Sequence, residues 1–314
     1  MLDVLHDVIT GRVEENAPLA RFTTYRLGGP ARLLIEPANL ADLEVIASEI
    51  GRRRAAGEKV AVLPLGRGSN VVVSDRGWPG LVVRLGDAFQ EISGDTVLTV
   101  GAATTMPVLA NHAARRARSG LEFMIAIPGS VGGGVRMNAG AHGSDVSDTL
   151  SSIRLLAFSS GAFDDVPAAE LGLSYRRSRL TDDDLVISAT FTTPDDDPAA
   201  VKGRMEEFRR HRAATQPGAA QNAGSVFKNP PGDHAARLVE AAGLKGFRVG
   251  GAEVSPLHAN FFIAHRGSSA SDVHSLVGEV RRRVLDRFGI DLEPEIRFVG
   301  DFDGASGGVM RTNA

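Results

Sequence analysis

The 314 residues contain no cysteine. That absence removes disulfides, thiolate catalysis and Cys-ligated zinc or iron–sulfur clusters together. Any redox chemistry must then be carried by a bound organic cofactor. No run approaches the roughly 20 apolar residues needed to span a bilayer. The N-terminal MLDVLHDVITGR has neither the basic start nor the continuous apolar stretch of a secretory signal. These two absences lead us to expect a soluble, cytoplasmic protein with no membrane partner. The formal net charge of −3 gives no support to bulk nucleic-acid binding, so an anionic ligand would be held by local Arg, Lys and backbone N–H groups. The eight histidines show no ligand spacing such as H-E-x-x-H, so no metal is expected, and His142 and His258 read as packing or ligand-contact residues.

The dinucleotide and mononucleotide fingerprints are missing as well. Gly66 and Gly68 would need a glycine at Val71 to complete G-x-G-x-x-G, and the loop runs into Val71, Val72 and Val73 instead of a helix. Gly129 and Gly134 have Walker spacing, but Val135-Arg136 stands where Lys-Ser/Thr is required.

What the chain does have is glycine in one place. Six of the seventeen residues from Ile127 to Gly143 (I-P-G-S-V-G-G-G-V-R-M-N-A-G-A-H-G) are glycine, against 36 in the whole chain. Clustered glycines let backbone N–H groups converge on an anion, or let a planar ligand lie against bare main chain. We read this stretch, with the second glycine loop Leu65 to Asn70, as a cofactor seat; tight turns between strands are the plainer alternative.

A length of 314 residues, with 43% hydrophobic and 23% charged residues, suits a globular protein of two domains. Thr23 to Pro30 reads as a β-prone run ended by a Gly-Gly-Pro turn, and Ala31 to Ile35 as a strand. Leu40, Leu43, Ile46 and Ile50 predict a helix ending before Gly51, and Val60 to Leu63 a buried strand. Leu81 to Val100 reads as a meander with Gly-Asp turns. Thr104 or Thr105 caps a helix with Pro107 in its first turn, and strands fall near Ser152 to Phe158 and Leu185 to Thr193. The acid runs Asp182 to Asp184 and Asp195 to Asp197 read as solvated loops. Val201 to Ala213 is a basic helix with Met205 and Phe208 inward. Ser271 caps the strongest helix, whose stripe is Val273, Leu276, Val277, Val280 and Val284, with Gly289 beyond its end. The composition shift between Asp195 and Ala200 divides a first domain, 1–198 (subdomains about 1–75 and 76–198), from a second, 199–300; residues 301–314 read as a loose tail.

Three polar clusters could carry chemistry. Tyr175-Arg176-Arg177-Ser178 sets guanidiniums beside a phenol and a hydroxyl, suited to a carboxylate or phosphate or to surface salt bridging. Ser225 in A-G-S-V-F lacks a nucleophile elbow, so it is a hydrogen-bond or proton donor, or simply a turn serine. Glu293 and Glu295 flank Pro294 ahead of a short terminal strand, where one could act as an acid or form an edge salt bridge.

Taken together, these pieces resemble the UDP-N-acetylenolpyruvoylglucosamine reductases. The matching segments are T-T-Y-R-L-G-G-P (23–30), L-G-R-G-S-N-V-V-V-S-D (65–75), G-L-E-F (120–123), the stretch 127–143, Y-R-R-S (175–178), A-G-S-V-F-K-N-P (223–230), G-G-A-E-V-S (250–255), H-A-N-F (258–261) and E-P-E-I-R-F (293–298). The resemblance implies an α+β protein. Its FAD-binding domain would be of the vanillyl-alcohol-oxidase type, in two subdomains, followed by a smaller α+β substrate-binding domain. FAD, bound non-covalently, would be lined by Leu65, Gly66, Arg67, Gly68, Ser69 and Asn70 in the first loop. From the second loop it would meet Ile127, Pro128, Gly129, Ser130, Gly132, Gly133, Asn138, Gly140 and Ala141.

NADPH would reduce the flavin, which then delivers hydride from N5 to C3 of the enolpyruvyl group of UDP-GlcNAc-enolpyruvate. By motif, Arg176 and Glu295 would stabilise the resulting enolate-like species and Ser225 would protonate it. Tyr175, Lys228, Asn229 and His258 would touch substrate, with Lys228 and Asn229 on the diphosphate. The chain departs from the family pattern at Ala126, Gly134, His142 and Arg67, where Gly, Ala, Tyr and Gly respectively are common. It looks like the compact subtype, lacking the inserted loop that closes over substrate. An oxidase on the same fold would not explain Arg176, Ser225 and Glu295, and a non-catalytic nucleotide-sugar binder would be colourless.

Overall fold

The computed structural model describes residues 2–218 and 220–302, apart from the side chains of residues 2–4. It divides into two compact units. The first comprises residues 1–15, 33–67 and 80–211, and the second residues 16–32, 68–79 and 212 onward. Strands and helices are mixed throughout, in an α+β arrangement.

The first unit is organised by a five-stranded antiparallel sheet in the order Ala162–Pro167, Leu150–Ala157, Asp184–Thr192, Val97–Gly101, Ile92–Gly94. Its central strands are apolar on both faces, and period-two geometry sends alternate residues to different cores. Leu156, Leu185 and Ile187 join one cluster, which also holds Leu43, Ile46 and Ile50 of the helix Leu40–Ala55 together with Val62, Leu81 and Val83. Leu155, Val186 and Phe191 join the other, with Met106 and Leu109 of the helix Met106–Ala114 and Val131 and Val135 of the short helix Val131–Arg136. A sheet covered on both faces explains why its strands read as near-continuous apolar runs. Thr105 is the N-cap expected at residue 104 or 105, accepting from the N–H of Val108 at 3.4 Å.

The second unit packs the helix Ala270–Phe288 and the helix Ala235–Ala241 around a small sheet, Arg248–Val249, Ala252–Val254 and Phe262–Ala264. The predicted stripe Val273, Leu276, Val277, Val280 and Val284 is buried, and Gly289 ends the helix in the left-handed conformation at φ 69°. Val71–Val73 joins this unit by parallel pairing with Arg297–Val299.

Several local expectations need correcting. Ser269, not Ser271, caps the long helix through a capping box with Asp272, while Ser271 bonds Asp75. Thr23 to Pro30 is not a strand, because Tyr25 turns fully inward and donates its hydroxyl to the carbonyl of Phe262 at 3.0 Å. The helix from Leu40 runs through Gly51 to Ala55, its last turn carrying Arg52 and Arg53 bonded to Glu49 and Arg54 bonded to the carbonyl of Val60. The meander is confined to the hairpin Ile92–Gly101, because Trp78–Val83 pairs with Val62–Pro64 in a separate sheet. Asp184 begins a strand instead of lying in a loop, whereas Asp195 to Asp197 are exposed as expected. Within the runs Asp182 pairs with Arg136, Asp183 with Arg54, Asp195 with the buried Arg118 and Asp196 with Arg204. Of the expected tail, Asp301 accepts from Ser74 and Arg76, and Phe302 stacks on His274. Residues 303–314 lie outside the described residues.

Candidate active site

In the first unit, the strand Val62–Pro64 leads into Leu65, Gly66 and Arg67 at one wall of an open cleft. Ser130, Gly132 and Gly133 form the facing wall with Ala102 and Ala103. The floor includes Leu185 and Val186 of the central sheet. Gly66 has a steric reason to be glycine, since a Cβ there would stand 2.4 Å from the Oγ of Ser130. That hydroxyl already caps the following turn by accepting from the N–H of Gly133 at 3.4 Å. The cleft thus combines glycine main chain, which a ligand can approach closely, with the charged side chains of Arg67, Arg84 and Arg136.

Six of the residues expected at a cofactor therefore line one cleft. Ile127, Pro128, Gly129, Asn138, Gly140 and Ala141 lie in the same unit away from its lining, and Gly68, Ser69 and Asn70 fall in the second unit. The cleft also takes in Arg84, Asp87, Gln90, Arg136 and Asp184, which sequence reasoning missed. Of these, Arg136 lay inside the glycine stretch read as a cofactor seat, Asp184 in an acid run read as a solvated loop and Asp87 in a Gly-Asp pair read as a turn, while Arg84 and Gln90 gave no signal. The glycine stretch is not a pair of plain turns, because Val131–Arg136 is helical and His142-Gly143 closes a tight hairpin between Gly140–Ala141 and Ser144–Asp145.

Tyr175 and Arg176 sit on a four-residue turn of the first unit. The turn is closed by reciprocal bonds between Ser174 and Arg177, 3.1 Å from Ser174 N to Arg177 O and 3.0 Å in return. Arg176 takes φ 55° and donates from Nη2 to the carbonyl of Gly140 at 2.6 Å. Tyr175 is half exposed, with the Arg176 guanidinium 5.0 Å from its ring centre. His142 stacks on Phe208 at 4.1 Å, and burial, followed by the neighbouring His211, lowers its pKa. This histidine is thus a packing residue.

Ser225 and Glu295 come together in the second unit. The segment 225–228 pairs on one side with Phe261 and Asn260 and on the other with Glu293 and Glu295. The N–H of Glu295 donates to the carbonyl of Val226 at 2.7 Å, and that of Val226 to the carbonyl of Asn260 at 2.8 Å. The Asn70 side chain donates to the carbonyl of Glu295 at 3.0 Å. Lys228 forms an ion pair with Glu293 at 2.8 Å, and the Asn229 side chain accepts from the N–H of Ala235 at 3.0 Å, at the start of Ala235–Ala241. The ring of His258 accepts at Nδ1 from the N–H of Asn260, 3.2 Å away, and burial lowers its pKa, leaving it neutral near pH 7.

Comparison with known proteins decides the family. The chain is 43% identical over 292 residues to UDP-N-acetylenolpyruvoylglucosamine reductase 2 of Symbiobacterium thermophilum, covering 92% of this chain and 93% of that one. It is 45% identical over 289 residues to the reductase of Rubrobacter xylanophilus, covering 90% and 94%. The chain belongs to the UDP-N-acetylenolpyruvoylglucosamine reductase family. Residues 216–299 match the family's C-terminal domain, and residues 31–163 match an FAD binding domain. The crystal structure of the Thermus caldophilus family member superposes with a TM-score of 0.79 at 36% identity, over 92% of this chain and 99% of that one. The fold is accordingly the FAD-binding α+β fold expected, and the glycine-walled cleft lies largely within the segment matched to the FAD binding domain. Glycine main chain at Gly66, Gly132 and Gly133 beside the cationic Arg67, Arg84 and Arg136 suits a group that carries a pyrophosphate. Among the described residues, no helix is long and apolar enough to cross a membrane.

Proposed function

We propose that this protein is an FAD-containing, NADPH-dependent oxidoreductase of peptidoglycan precursor synthesis, reducing the C=C bond of the enolpyruvyl group of UDP-GlcNAc-enolpyruvate to give UDP-N-acetylmuramate. The observation that carries this reading is a glycine-lined cleft largely inside the segment matched to an FAD binding domain, in a chain that matches the reductase family along more than nine-tenths of its length. FAD, bound non-covalently, would supply the redox chemistry that links NADPH oxidation to reduction of the double bond.

The protein's own residues would do the rest. Leu65, Gly66, Arg67, Ser130, Gly132 and Gly133 hold the cofactor by main chain and short side chains. Arg176 supplies a fixed positive charge where the substrate carboxylate becomes conjugated with developing negative charge, and preorganised charge of this kind costs no rearrangement during the reaction. Glu295 stands one strand away from Ser225, whose hydroxyl donates the proton that completes the reduction. Tyr175, Lys228, Asn229 and His258 contact the nucleotide-sugar substrate, Lys228 and Asn229 at its diphosphate. Of the expected region 199–300, the part from residue 212 onward belongs to the second unit and would serve as the substrate-binding domain, while 199–211 packs with the first. A reaction that consumes NADPH and a UDP-sugar is placed in the cytoplasm, where both are made.

The test is anaerobic absorbance of the purified protein, with NADPH and then UDP-GlcNAc-enolpyruvate added. Bleaching of the flavin band followed by its return on adding substrate is the expected result. A protein that stays colourless after incubation with FAD overturns the reading.

A further inference from the structure

Among the described residues, six non-glycine positions have positive φ, and three of them, Asn138, His142 and Arg176, belong to one small cluster of the first unit. Left-handed backbone at non-glycine residues persists only where the surroundings impose it. Here the imposing structure is a set of rungs between residues 136–140 and 174–178. The Ser178 hydroxyl donates to the carbonyl of Arg136 at 2.6 Å, the Asn138 side-chain amide donates to the carbonyl of Ser174 at 3.0 Å, and Arg176 donates to the carbonyl of Gly140 at 2.6 Å.

The middle rung is the buried one. Asn138 is 1% exposed, and its amide oxygen also accepts from the N–H of Ser147 at 3.0 Å. Its donor and its acceptor ends are therefore both used inside the protein, and its side chain presents almost no surface to a ligand. Ser174 is the first residue of the turn that holds Arg176 left-handed, so the bond from Asn138 fixes the turn at its root while Gly140 receives the guanidinium at its tip.

We propose that Asn138 is a positioning residue for Arg176: its buried amide locks the Ser174–Arg177 turn and so sets where the guanidinium points. This rests on the reading of Arg176 as the group that meets the substrate carboxylate. Asn138 then acts on the second half-reaction alone. Displacement of a catalytic group by about 1 Å can cost on the order of 100-fold in rate.

Asn138→Gly tests this, because glycine keeps the left-handed backbone while removing the side-chain bonds to Ser174 and Ser147, and Asn138→Asp, which keeps the acceptor for Ser147, separates the two. The FAD content and the rate of flavin reduction by NADPH are expected within about twofold of the parent, while reduction of the enolpyruvyl substrate by the pre-reduced enzyme slows by about tenfold or more. Adding Asn138→Gly to Arg176→Met is expected to cost no further rate, since the group being positioned is already gone. Unchanged turnover in Asn138→Gly beside a slow Arg176→Met overturns the positioning role and leaves the reading of Arg176 standing. Loss of FAD from Asn138→Gly overturns it in favour of a cofactor contact. Normal turnover of Arg176→Met overturns the underlying reading by itself. Should Asn138→Gly fail to fold, Asn138→Asp decides by the same outcomes, because it keeps the shape and the acceptor for Ser147 but lacks the donor to Ser174 at neutral pH.

Discussion

The side-chain amide of Asn260 is paired with both main-chain groups of Phe227, accepting from its N–H at 2.9 Å and donating to its carbonyl at 2.8 Å. A side chain thereby takes the place of a strand residue against the segment that carries Ser225 and Lys228. Asn260 is 3% exposed, so water cannot take over these bonds. Replacement by alanine leaves a buried N–H and C=O unpaired, at a cost of about 1–3 kcal/mol for each. We expect Asn260→Ala to unfold at a clearly lower denaturant concentration than the parent, measured by tryptophan or flavin fluorescence. An unchanged midpoint would show that the segment is held without Asn260.

Gly66 faces Ser130 so closely that a methyl group would sit 2.4 Å from its Oγ. Ser130 is buried and its Oγ caps the turn at Gly133, so making room for the methyl turns that hydroxyl out of its bond at the wall of the cleft. Gly66→Ala should therefore purify folded with much less flavin than the parent. The ratio of flavin to protein absorbance reads this directly, and a full complement of FAD would contradict the placement of the cofactor against Gly66.

The long helix of the second unit carries a pH-sensitive contact at its surface. Hydrogen bonds from Arg282 and then Arg283 hold the carboxyl of Glu279 down to about 2. A carboxyl depressed in the folded state adds stability above its unfolded pKa of about 4.3, and that contribution is lost as pH falls from there towards 2. Glu279 is half-buried, but its partner Arg282 is exposed and Arg283 partly so, and the effect is therefore screened and small. Denaturant midpoints taken between pH 5 and pH 2 should fall less steeply in Glu279→Gln than in the parent. Identical slopes would remove Glu279 from the acid response.

The elements legible in the sequence are those whose signal is local. The stripe from Val273 to Val284 with Gly289 beyond it announces a helix, and Thr105 with Pro107 announces another. The N-cap slipped from Ser271 to Ser269 because both are serines and only the reciprocal bond with Asp272 distinguishes them. What escaped was long-range. The pairing of Val71–Val73 with Arg297–Val299 joins segments from opposite ends of the chain, and no local pattern marks it. Tyr25 looked like part of a strand because its role depends on a carbonyl at Phe262. In the site, clustered glycine marked the cleft wall, whereas Arg84, Gln90 and Asp184 reach it only through the fold. Asn138 and Asn260 are single asparagines in loops, indistinguishable in sequence from any other turn residue.

Ser225 lies between two pairing partners, bridged to Phe261 on one side, with its neighbour Val226 accepting from the N–H of Glu295 on the other. Its backbone is thus fixed independently of its hydroxyl. Removing the Oγ leaves every one of those main-chain bonds in place, so Ser225→Ala should fold, bind FAD and be reduced by NADPH at the parental rate. The step it should lose is proton delivery to the reduced substrate, at a cost of about 100- to 10,000-fold in turnover. Stopped-flow absorbance separates the two half-reactions, with the first unchanged and the second slowed. A Ser225→Ala enzyme that reoxidises with substrate at the parental rate would transfer the proton-donor role to another group, and Glu295, one strand away, would be the next residue to replace.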